Sequence, residues 1–224
     1  MEALRETHGV DVVLGALRIL SIRCGSRPES KSVAAEMAML RASVRDKKDA
    51  WEAARDERIA ATGEIAWCDS TLDGAVMSLS RQATAMVDGK TSDPRYRVLF
   101  PAAPSVQMKP VGGAAQSNFV KGVLRSLEEE EGLAELRPLG KTIAKAQKSL
   151  DAASDARDTL QVTEDRARTA LQIELDAARE AYNQSWHRLN VIFPKDKALV
   201  ESFFRPLSAK EKSAEPADPA DPPK

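Results

Sequence analysis

The run KTIAKAQKSLDAASDARDTLQVTEDRARTALQIELDAAREAYNQSWHRLN (residues 141–190) decides the fold, because it contains neither glycine nor proline. Its apolar residues Ile143, Leu150, Ala153, Leu160, Ala167, Leu171, Ala178, Tyr182 and Leu189 recur at steps of three, four or seven. Such steps return to one side of a helix that turns every ~3.6 residues, so the run reads as helical. Two readings fit it: one long helix, or a tight hairpin that turns near Thr163, Glu164 and Asp165. Thr and Asp favour the turn, because each can cap a new helix with a side-chain oxygen.

Further towards the N-terminus lies a second run without glycine or proline, residues 31–62. Here Val33, Met37, Leu40, Val44, Trp51 and Ala54 alternate steps of four and three, with Lys47 the one break in the seam. This spacing suits an antiparallel packing seam, and at ~1.5 Å per residue the helix would reach about 45 Å. Ser30 or Ser32 is placed to cap it. Gly63 predicts a break, and a third helix through Ile65, Trp67, Leu72, Val76, Leu79 and Met86 then ends at the turn cluster DGKTSDP (88–94). Before all of these, Val10, Val13, Leu14, Leu17, Leu20 and Cys24 line one face of a first helix that Gly25 and Pro28 stop. Residues 118–131 predict a short helix carrying Phe119, Val123, Leu124 and Leu127.

Two short motifs suggest that one unit occurs twice. YRVLFP (96–101) laid on LNVIFP (189–194) pairs Val98, Leu99, Phe100 and Pro101 with Val191, Ile192, Phe193 and Pro194. Upstream, Ala53, Ala54, Asp56 and Arg58 pair with Ala152, Ala153, Asp155 and Arg157. The expected fold is therefore all-α: an elongated antiparallel helical bundle of coiled-coil hairpins, built by duplication of a long helical hairpin. Its parts are an N-terminal amphipathic helix (1–27), a first hairpin (28–101), a Pro/Gly/Ala-rich linker (102–117), a second hairpin (118–207) and a tail (208–224). That tail, SAKEKSAEPADPADPPK, has no large apolar residue with which to offset its ordering entropy, and reads as disordered.

Composition agrees with helices. Aromatics supply only 4% of the chain and charged residues 30%, a mixture suited to long helices and poor for a β fold. With 33 basic against 34 acidic residues, interspersed, no global field steers the chain to nucleic acid. The first helix carries Asp11 and Arg18 and has few basic residues, so a membrane partner is disfavoured and a cytoplasmic location expected. Cys24 and Cys68 read as buried reduced thiols.

Chemistry is hard to find in the sequence. His8 and His187 are the only histidines, and neither stands in ExxH or HExxH spacing. His8 is expected in solvent, His187 near a helix end. No CxxC pair, phosphate loop or nucleophile elbow occurs, so no cofactor, no metal and no catalytic residue is expected. The residues singled out are structural or interaction candidates: Trp51, Trp67 and Trp186 as fillers of wide gaps in the core, and Phe100, Pro101, Phe193 and Pro194 as helix-end anchors. The function expected from this reading is a non-enzymatic scaffold that binds a protein partner or itself. The alternatives are a bundle holding a small hydrophobic ligand near Trp51 and Trp67, or a membrane-associating helical protein.

Overall fold

The computed structural model describes residues 2–109 and 113–204. The expected tail (208–224) and part of the expected linker (110–112) lie outside the described residues. The chain is all-α, with long helices packed on one another. In order the helices are α1 (Val10–Gly25), α2 (Lys31–Met86), α3 (Pro94–Leu99), α4 (Pro104–Gln107), α5 (Ala114–Glu129), α6 (Arg137–Ile192) and α7 (Lys197–Phe203). Short 3-10 turns at Pro28–Ser30 and Glu131–Leu136 lead into α2 and α6.

The break expected at Gly63 is absent, and of the two readings of residues 141–190 the single long helix is the one found. Gly63 does not break α2, which continues for 56 residues. A helix-interior glycine costs only ~1 kcal/mol relative to alanine, and packing of the long helix against its neighbour outweighs it. Nor does α6 turn at Thr163, Glu164 and Asp165; it too is a single helix of 56 residues. Thr163 bonds back to the Thr159 carbonyl at 3.1 Å, and Glu164 pairs across to Arg58 of α2. The side chains that looked like caps are thus used within and between helices.

Contacts divide the chain into two compact units. One is Ala50–Ala167; the other joins the described residues up to Asp49 with those from Arg168 onward. In the latter unit, α1 and α7 pack with the first part of α2 and the last part of α6. Val13, Leu17 and Leu20 of α1, Met37 and Val44 of α2, and Leu171, Tyr182 and Leu189 of α6 are buried there. The chain ahead of α1 is pinned to α6: Leu4 and Asn183 exchange two hydrogen bonds (2.9 and 3.0 Å), and Arg179 donates to the His8 carbonyl at 2.8 Å. His8 is not simply solvated, as its Nδ1 accepts from the Arg5 amide at 2.9 Å. Ser30 does not cap α2; its hydroxyl donates to the Cys24 carbonyl at 2.8 Å.

The Ala50–Ala167 unit gathers α3, α4 and α5 on the second part of α2 and the first part of α6. Its core runs through Leu72, Val76 and Leu79 of α2, Val120, Val123 and Leu127 of α5, and Ile143 and Leu150 of α6. After Met86, Asp88 (φ 51°) and Gly89 (φ 79°) take the left-handed conformation, and the Gly89 amide returns to the Thr84 carbonyl at 2.9 Å to close α2. Gly140 is buried because α5 comes close: a Cβ there would stand 3.0 Å from Leu127 Cδ1. Between residues 151 and 167 the seam changes character. Its half-buried positions are Ala153, Ser154, Arg157, Leu160, Gln161, Glu164 and Ala167, and no residue of that stretch is fully buried. Small and charged groups at these positions explain why the sequence could be mistaken for a turn.

Candidate functional site

Of the aromatic candidates, Phe100, Trp186 and Phe193 join ring clusters, Phe100 in one unit and the other two in the other. In the Ala50–Ala167 unit, Phe100 follows α3 and is buried, with its ring 5.2 Å from Tyr96 and 6.3 Å from Phe119. The Tyr96 hydroxyl is hydrogen-bonded to Ser80 at 3.1 Å, which ties α3 to α2. Pro101 is exposed at the rim of an open cleft of about 450 Å³ shared with Met77, Tyr96, Arg97 and Phe100.

In the other unit, Trp186 and Tyr182 of α6 each place a ring 5.4 Å from Phe204, and Phe193 lies 5.9 Å from Phe203. Phe193 is half-buried and Pro194 exposed. Phe203 and Phe204, both buried, are core groups that sequence reasoning missed. The signal was present in DKALVESFF (196–204): Asp196 accepts from the Leu199 amide at 2.9 Å, an N-cap ahead of a short amphipathic turn.

The two Phe-Pro motifs are not equivalent in place. Tyr96 to Leu99 lie on the short helix α3, whereas Leu189 to Ile192 form the last turn of the long helix α6. The tryptophans also part company. Trp51 is half-buried under the Arg55 guanidinium, 5.9 Å from the ring centre, and its indole N–H has no hydrogen-bond partner among the described residues. Trp67 fills no core gap: it is 69% exposed. Ile65, Cys68 and Leu72 take the inward positions of α2, and residue 67, one place before Cys68, is turned outward.

Beside Trp67 a groove of about 350 Å³ opens between α2 and α6, with Glu64, Cys68 and Thr71 on one wall and Thr142, Lys145, Ala146 and Ser149 on the other. Trp51 takes no part in it. Cys68 lies buried in its wall, and its thiol is raised by burial and then by the Glu64 carboxylate, whose oxygen is 3.7 Å from Sγ. Nearby on α2, Asp69 is buried and accepts from the Gln116 amide at 2.8 Å. Burial and the Asp69 charge raise the Asp73 carboxyl.

These arrangements position apolar and aromatic side chains rather than converging reactive ones. Among the described residues no group of three His, Cys, Asp or Glu side chains could hold a metal ion. No helix among them is long and apolar enough to cross a membrane. Cys24 and Tyr182 are the strongly shifted groups. Burial pushes the Cys24 thiol from 9.0 to about 11, against a smaller opposing effect of the Ser30 hydroxyl. Burial likewise pushes the Tyr182 phenol from 10.0 to about 12, and its oxygen lacks a hydrogen-bond partner among the described residues.

Both shifts have the same consequence for stability. The unfolded chain releases each proton at the lower pH, so stability is full below about pH 9 and is lost as pH climbs towards about 12. Urea midpoints measured from pH 8 to 12 should fall over that interval, and Tyr182→Phe should flatten the portion between 10 and 12. An unchanged slope in that variant would remove Tyr182 as a source.

Comparison with protein-family models, with characterised proteins and with solved structures finds no match to this chain.

Proposed function

We propose that the chain is a non-enzymatic helical scaffold that acts through protein contacts, with other proteins or with copies of itself. The observation that carries this reading is the set of large apolar side chains on the outside of the long helices: Met39 and Trp67 of α2 (67% and 69% exposed) and Ile173 of α6 (65% exposed). Single exposed apolar residues are ordinary. An exposed tryptophan flanked by a groove is less so, because tryptophan is enriched where proteins meet.

The element succession supports a duplicated build within the same proposal. Helices of 16, 56 and 6 residues (α1, α2, α3) are followed by helices of 16, 56 and 7 (α5, α6, α7), with α4 between the two sets. A 3-10 turn precedes each 56-residue helix, and an aspartate, Asp93 or Asp196, caps each short closing helix. In this reading the counterpart of Leu99-Phe100 is Phe203-Phe204, not Ile192-Phe193. The steps of three and four among the buried residues of α2 and α6 support coiled-coil packing. Two unpaired, buried cysteines accord with a reducing compartment such as the cytoplasm.

A ligand-binding reading rests on the groove at Trp67, whose volume falls in the range of small-molecule sites, about 300–1,000 Å³. It ranks second because the groove is open to solvent rather than an enclosed cavity. The membrane-associating alternative would require α1 to give up the burial of Val13, Leu17 and Leu20.

Light scattering on a size-exclusion column across a concentration series, together with affinity capture by the full chain, tests the scaffold. The expected result is a mass above 24.4 kDa that depends on concentration, or a retained protein at fixed stoichiometry. A chain that stays at 24.4 kDa and retains nothing overturns it.

A further inference from the structure

We infer that the groove beside Trp67 is an isologous dimer interface whose occupant is a second copy of this chain. The inference rests on the scaffold reading and names the partner of one surface. Trp67 and the groove lie on the same patch, so the patch carries both a knob and a hole. Twofold symmetry requires this combination, since each copy must offer the feature that the other receives. The cavity of about 350 Å³ leaves space for the indole of the facing copy.

Charge supplies the second argument. Glu64 lies on the α2 wall and Lys145 on the α6 wall; both are exposed, and neither forms an ion pair among the described residues. A two-fold axis directed along the groove lays α2 of each copy over α6 of the other. Glu64 then faces the wall that bears the partner's Lys145, and Lys145 faces the wall that bears the partner's Glu64. The patch is thus complementary to itself in charge as well as in shape.

Small side chains allow the approach. Thr71 and Gly74 follow Trp67 on α2 at steps of four and three, both exposed, and a Cβ built on Gly74 would meet nothing within 4 Å. Across the groove, Thr142 and Ser149 flank Lys145. Apart from Trp67, Glu64 and Lys145, which make the proposed contacts, the walls carry only small side chains, and the exposed indole supplies the apolar anchor expected at the centre of such an interface.

The test compares the full chain with Trp67→Ala, Glu64→Lys, Lys145→Glu and the Glu64→Lys/Lys145→Glu pair by sedimentation equilibrium. All three substituted positions are exposed, and circular dichroism checks that each of the four variants keeps its helices. The inference expects a dimer whose Kd rises at least about 30-fold with Trp67→Ala, the loss that defines a hot spot. Each single charge reversal should weaken the dimer, by like charges meeting twice, and the paired reversal should restore it.

A dimer unaffected by Trp67→Ala, or a paired reversal no better than its singles, overturns this interface while leaving the scaffold reading in place. A chain that stays monomeric but captures a different protein also overturns the interface alone. A monomer that captures nothing overturns both. A small molecule bound one per chain in native mass spectrometry, and lost with Trp67→Ala, would give the groove to a ligand and overturn the dimer.

Discussion

Phe100→Ala should destabilise the protein by about 3–5 kcal/mol, whereas Phe193→Ala should cost only about 1–2 kcal/mol. Both phenylalanines precede a proline and occupy like positions in two similar motifs, so the sequence would assign them one cost. Their surroundings differ. Phe100 is 3% exposed, lies between the tilted rings of Tyr96 and Phe119, and belongs to the core that includes Leu79, Ala83 and Val123. Removing its ring leaves a cavity enclosed by α2, α3 and α5, and these elements cannot all collapse into it. Phe193 is half-buried and meets Phe203 at the edge of the other unit, so water can enter the space its ring leaves. Paired urea-unfolding curves measure both costs. Equal losses would mean that the two Phe-Pro ends are equivalent after all. A Phe203→Ala variant, buried like Phe100, should fall with Phe100 and not with Phe193.

The helical class was legible because period is a local property. Val33, Met37 and Val44, and later Leu171, Ala178, Tyr182 and Leu189, are buried where the steps of three and four place them. What the sequence hid depends on partners distant along the chain. Glu164 looks like part of a turn until Arg58 is brought alongside it, a partner 106 residues away. Trp67 looks like core because it is large and apolar, yet the choice between residues 67 and 68 for the inward position turns on a rotation of one residue. Cys68, the smaller side chain, faces in. Phe203 and Phe204 were overlooked because a helix of 7 residues gives too few repeats for a period to register. Their roles appear only when Tyr182 and Trp186 of α6 are seen against Phe204, and Phe193 against Phe203.

The same contrast bears on the candidate site. Catalytic and metal motifs announce themselves in sequence by fixed residue types at fixed spacing. A contact surface does not, since it needs only exposure, shape and complementary charge. Glu64 and Lys145 are 81 residues apart (145 − 64) and become related only as the two walls of one groove. Their reading as an interface therefore belongs to the folded chain, and the charge-reversal pair is the experiment that addresses it directly.

Gly63→Pro should cost about 3 kcal/mol or more, because Gly63 lies in the interior of α2, a helix that does not pause there. Proline would delete the hydrogen bond from residue 63 to the Ile59 carbonyl and set its ring against that carbonyl. Were Gly63 a turn between two helices, as the sequence suggests, proline would be tolerated and the loss would be small. The opposite substitution separates the effects. A Cβ at Gly63 meets nothing within 4 Å, so Gly63→Ala adds a better helix former without a clash and should stabilise by about 0.5–1 kcal/mol. A turn that needed glycine's freedom would instead be weakened by alanine. Thermal unfolding of the two variants thus gives opposite signs for one uninterrupted helix, and the reverse pattern would restore the break. The stakes exceed stability, because Glu64 and Trp67 follow Gly63 within 4 residues on the same helix. A kink at Gly63 would change the angle at which α2 leaves the groove, so Gly63→Pro should also weaken any dimer that depends on Trp67, while Gly63→Ala leaves that dimer intact.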